Sequence, residues 1–153
     1  MRITRKYLGA ALFVATLFSA NMALADDTSD IIHSLKATWD KADNPLAVKP
    51  VVIVEQYAIA GWQQGGRGGR AILQKSSHGW QAQLCAGEIT THLLLQAGVP
   101  ANHAKRLLTD LNVAEKAMTS KEVAQMSSFE GVIKMDQHSH HPASSSSEHA
   151  SHH

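Results

Sequence analysis

Between Leu46 and Ala86 the chain carries four strand-length runs in succession: LAVKPVVIVE, QYAIAGWQ, GRAILQK and GWQAQLCA. β-branched and aromatic side chains suit a half-buried pleated surface. The connections between the runs are too short to hold a crossover helix, so neighbouring strands must run antiparallel, as a meander. Pro50 has no amide to give to a ladder and predicts an edge strand or a strand start. In the last run, strict alternation places Trp80, Ala82 and Leu84 on one face and Gln81, Gln83 and Cys85 on the other.

Helical patterns flank this block. From Thr28 to Lys41 apolar residues recur at Ile31, Ile32, Leu35 and Trp39, the spacing of one buried helical stripe. Thr28 or Ser29 can cap its start, and Asn44-Pro45 ends it. A short helix is predicted over Glu88 to Ala97, stopped by Gly98. A longer one follows Pro100, with Ala104, Leu107, Leu108, Leu111, Ala114 and Met118 on one face. A further short helix falls around Lys121 to Met126, and FEGVIKM reads as a last strand or as an extended lead into the tail. The predicted class is α+β: an N-terminal helix, a four-stranded antiparallel meander, helices covering one face of the sheet, and a disordered His-rich tail.

The ends of the chain set compartment and chemistry. MRITRKYLGAALFVATLFSANMALADD reads as a secretory signal peptide. Arg2, Arg5 and Lys6 precede an apolar run from Leu8 to Phe18, and Ala23-Leu24-Ala25 forms a small-x-small cleavage site. The apolar run is shorter than the ~20 residues a spanning helix needs. The expected organisation is a signal peptide at 1–25, an α+β domain at 26–135 and a flexible His/Ser-rich segment at 136–153, with export to the periplasm and no stable membrane insertion after processing. Cys85 is the single cysteine, so the apolar core, not an internal disulfide, must hold the domain together. The formal net charge of +1 and the lack of a basic stripe argue against nucleic acid as a partner.

Six of the ten histidines lie beyond Asp136. Neutral imidazole binds copper, zinc and nickel, and thioether sulfur favours Cu(I). Met135, His138, His140 and His141 place one thioether and three imidazoles within seven residues; Asp136 offers an oxygen. His149, His152 and His153 can hold a second ion or exchange with the first. Such a flexible ligand set suits capture and hand-over better than catalysis, which needs rigid ligands. Cu(I) or Cu(II) is the expected ion, with zinc or nickel as alternatives, because ligand identity alone does not separate them.

Other residues are weaker candidates. Cys85 falls on the polar side by alternation and is read as a ligand or partner contact, or as a small buried hydrophobe. Gly65 to Arg70, GGRGGR, lacks the Gly-Lys-Ser/Thr of a phosphate-binding loop. It reads as a flexible hairpin loop, or as an anion-binding nest flanked by Arg67 and Arg70. His33 is expected in solvent, His92 and His103 at half-buried boundaries and His78 in a turn; no two of these have a recognisable metal-ligand spacing. Trp39, Trp62 and Trp80 read as core, and Met126 as core or as a neighbour of Met135.

The stretches NPLAVKPVVIV, YAIAGWQQGGRGGRAIL, GWQAQLCAG, LLQAGVP and FEGVIKM, followed by a histidine-rich end, resemble the copper uptake system-associated proteins, a family of small exported bacterial proteins. The resemblance implies an association with copper uptake and periplasmic or outer-membrane copper-handling partners, and it draws attention to Cys85, the GGRGGR loop and Met135. The sequence thus predicts a non-enzymatic copper-binding accessory protein. The competing expectation is a ligand- or partner-binding α+β domain whose tail buffers zinc, nickel or copper. A Cys–His enzyme belongs to that second class and requires a histidine beside Cys85.

Overall fold

A computed structural model describes residues 19–135. Helix α1 (Ser19–Trp39) leads into strands β1 (Ala47–Val54), β2 (Tyr57–Gln64), β3 (Arg67–Ser76) and β4 (Gly79–Ala86). Helices α2 (Thr91–Gln96), α3 (Ala101–Lys116) and α4 (Ser120–Ser127) follow, and strand β5 (Val132–Lys134) closes the order. The sheet is antiparallel with the order β1-β2-β3-β4-β5. Within FEGVIKM, Val132–Lys134 thus form a strand, which returns after three helices to the edge of the predicted four-stranded meander and makes a five-stranded sheet.

Each connection follows from local chemistry. Gly65 and Gly66 both have positive φ, 55° and 78°, which gives the two-residue turn that matches the twist of a hairpin. Gly98, at φ 85°, ends α2. Thr119 and Glu122 form a reciprocal capping box at the start of α4. Pro50 lies on β1, an edge strand, where Lys49 and Pro50 together face Gly61 in a bulge.

The helices cover both faces of the sheet, not one. On the first face Val52, Val54, Tyr57, Ile59, Ile72 and Leu84 pack against Ile89, Leu94, Val99, Ala104, Leu107 and Leu111 from α2, α3 and their flanks. On the second, Ala58, Ala60, Ala71, Leu73, Trp80 and Cys85 pack against Ile31 and Leu35 of α1. Ile31, Leu35 and half-buried Trp39 of the predicted stripe thus pack here, whereas Ile32 does not join them, and the helix begins earlier, at Ser19. Its anchoring contact is Asp27, which accepts from Lys75 Nζ and from Trp80 Nε1 at 3.1 Å. The lysine is the main reason the Asp27 carboxyl lies below its usual range. Met22 and Leu24, before this anchor, are exposed.

Candidate functional site

Strand β4 departs from the predicted alternation at one residue. Ile72 pairs with Leu84 but Leu73 pairs with Ala82, so Gln83 is an extra residue in a β-bulge. Trp80 and Ala82 still share a face. Beyond the bulge the parity reverses: Leu84 turns toward α3, and Cys85 joins Trp80 beneath α1. Cys85 is therefore not on a polar side. It is 5% exposed, opposite Ala71, and burial pushes its thiol up to about 11. At neutral pH it is a protonated, weakly nucleophilic thiol.

Beside it lies a cavity of about 190 Å³, lined by Leu35, Trp39, Leu46, Trp62, Gln64, Ala71, Cys85, Phe129, Ile133 and Met135. Apart from the Gln64 amide and the thiol, the wall is apolar. Gln64 Nε2 donates to the carbonyls of Trp39 and Asn44, both at 2.8 Å, and so fixes the end of α1 to β2. The Leu46 amide donates to Asp40 Oδ1 at 2.6 Å and holds the intervening loop. Trp62 and Phe129 meet edge to face, with centroids 5.8 Å apart. Phe129 reaches this place because the chain after α4 passes tightly over Gly87, where an added Cβ would collide with the Phe129 carbonyl oxygen.

Met135 arrives by the same route. In the β4–β5 ladder Cys85 pairs with Ile133, which makes Met135 the diagonal neighbour of Cys85 on the same face. The Met135 amide donates to the carbonyl of Gln83 at 2.9 Å. The bulge residue thus both turns Cys85 inward and holds the backbone of Met135.

The remaining expected site residues fall elsewhere. Arg67 is exposed at the start of β3, and its carbonyl accepts from Gln125 Nε2 at 2.9 Å. Arg70, three residues on, lies on the opposite face of the strand and is 5% exposed. Its Nε donates to Glu115 Oε1 at 2.6 Å, and its Nη1 donates to the Gly87 carbonyl and, at 3.2 Å, to Ser127 Oγ. Arg70 is thus a clamp that ties β3 to α3, α4 and the end of β4. The GGRGGR segment forms a tight hairpin and does not bring the two guanidinium groups together.

Asp136, His138, His140, His141, His149, His152 and His153 lie outside the described residues, as does the expected disorder of that segment. Among the described residues, no three side chains drawn from His, Cys, Asp and Glu gather as a metal-ligand group. His33, His78 and His92 are exposed; His103 packs against Tyr57 on the other face, with ring centroids 6.0 Å apart. None of these four lines the cavity. Met126 is fully buried over Gly61, on the α4 side, away from Met135. Trp80 is core, whereas Trp39 and Trp62 are half-buried cavity walls. No family model, curated protein or solved structure matches the chain. No described helix is long and apolar enough to cross a membrane.

Proposed function

We propose that this chain is an exported copper-binding accessory protein of the periplasm, which captures the ion for uptake or trafficking and passes it to another copper-handling protein. Met135, His138, His140 and His141 are the primary ligands, with Asp136 as an added oxygen donor and His149, His152 and His153 as a reserve. The resemblance to the copper uptake system-associated family and the signal-peptide pattern support this reading. The observation that carries it is the position of Met135: the first residue of the ligand run is held by the sheet at a cavity that contains the only thiol of the chain. A ligand run that starts from a fixed point can load through its histidines and unload at Met135.

The test is a copper titration of the mature chain, residues 26–153, beside its H138A/H140A/H141A variant. The variant is expected to bind Cu(II) at least tenfold more weakly. Because imidazole must be neutral to bind, the parent should lose affinity as pH falls through about 6.5. Equal Cu(II) affinity in the two proteins removes the imidazole cluster from the mechanism.

The apolar cavity favours a second reading, in which the domain binds a small ligand or a partner there and the tail buffers zinc, nickel or copper. Competition among Cu(I), Cu(II) and Zn(II) separates the two: a buffer follows the general affinity order, whereas a copper carrier retains copper against excess zinc.

A further inference from the structure

We infer that Cys85 and Met135 form an internal Cu(I) site within the cavity under α1, separate from the imidazole cluster that follows Met135. The inference deepens the copper reading and rests on it. Three observations carry it.

The first is convergence. The cavity wall holds two sulfur side chains, contributed by neighbouring strands at diagonal positions of one face. Diagonal pairs lie within reach of long side chains. Met135 is partly buried there, next to a thiol that is 95% buried and makes no hydrogen bond to the described residues.

The second is charge. A metal ion binds the thiolate, so one proton leaves Cys85 for solvent as the ion enters. A Cu(I)–thiolate unit is neutral, and a thioether adds no charge. An apolar wall accepts a neutral unit at small cost. Cu(II) or Zn(II) with the same donors would leave a net positive charge without a counter-ion, which such a wall penalises heavily. No charged side chain lines the cavity: Gln64 is its one polar side chain besides the thiol. Soft donors and an apolar wall therefore select Cu(I) over divalent ions.

The third is access. Ile133, between the two sulfur positions in the ladder, is 50% exposed, so the cavity opens beside the edge strand β5. His138 is three residues beyond Met135. That span covers at most about 10 Å of extended chain, enough for an imidazole to share the ion during transfer.

The test uses the mature chain in an anaerobic Cu(I) titration against a competing chromophoric chelator, with X-ray absorption to count sulfur donors. The variants are Cys85→Ser, Cys85→Ala, Met135→Leu and the triple histidine variant; urea midpoints show which of them remain folded. The expected result is that both Cys85 variants weaken Cu(I) binding at least thirtyfold with Cu(II) affinity unchanged, and that Met135→Leu weakens Cu(I) binding at least fivefold. The triple histidine variant should keep one Cu(I) with a sulfur-dominated shell while losing Cu(II). Undiminished Cu(I) affinity in the folded Cys85 variants overturns the site. So does loss of all Cu(I) by the histidine variant, which leaves the tail reading standing. If instead the Cys85 variants lose Cu(I) and the histidine variant loses nothing, the tail reading falls and the internal site stands.

Discussion

Against α2 and α3 the strands present Val52, Val54, Ile59, Ile72 and Leu84, and the helices answer with Leu94, Leu107 and Leu111. Against α1 the same central strands present Ala58, Ala60 and Ala71, and a single helix answers with Ile31, Leu35 and half-buried Trp39. Large side chains meet large ones on the first face, so it closes. Small side chains meet one helix on the second, and about 190 Å³ stays open beside Cys85 and Met135. Run together, Tyr57-Ala58-Ile59-Ala60 alternates in size as well as in direction. Alternation of volume is what decides which face of this sheet keeps a vacancy.

Breaking the clamp on the closed face should have the largest effect. Arg70→Met leaves the Glu115 carboxylate, 16% exposed, without its cation, and should cost about 3–5 kcal/mol in urea unfolding. Next is a matched pair of truncations. Leu107→Ala empties a packed site and should cost roughly 3 kcal/mol, whereas Ile133→Ala, at the already open cavity, should cost under about 1 kcal/mol. Equal losses would mean that the two faces are packed alike.

On the open face, alkaline pH reaches the buried thiol. The raised Cys85 pKa means that the unfolded thiol ionises first, near its ordinary 9.0, while the buried one holds its proton to about 11. The stabilising preference for the neutral thiol is whole below pH 9 and is lost between 9 and 11, by roughly 2–3 kcal/mol. Stability curves of the parent and Cys85→Ala should therefore diverge over that window and run parallel below it.

The smallest effect should come from adding volume at the cavity. Ala104→Val overpacks the closed face and should cost about 1–3 kcal/mol. Ala71→Val points into the cavity and should change stability by less than about 0.5 kcal/mol. A large penalty at Ala71 would show that the cavity wall is tighter than the closed face.

Much of the frame was legible in the sequence, because it rests on local patterns. The four runs became β1 to β4, and the i, i+3, i+4 spacing gave the buried stripe of α3 at Ala104, Leu107 and Leu111. Pro50 marked an edge. The site was less legible. Alternation counts residues and has no signal for an extra one, so Gln83 put Cys85 on the wrong face, although its reading as a small buried hydrophobe holds. Phe129 and Ile133 reach the cavity only because the chain returns past Gly87, and nothing local announces that return. Glu115, 45 residues from Arg70, gave no hint of the ion pair. A polar residue just before the strand's small apolar end was the one available clue, since a bulge is a common reason for such a residue to escape the pattern.

Gln83 works as a parity bit for the whole β4 end. Excise it, and Leu84 and Cys85 exchange compartments: the leucine enters the alanine-lined side and the sulfur faces the α3 core, with the Met135 thioether left behind. A homologue that carries every motif of this chain but is shorter by this one position should keep its fold class and lose its sulfur pair. Length at that site, more than the presence of a cysteine, is the character to score when related chains are sorted by what they bind.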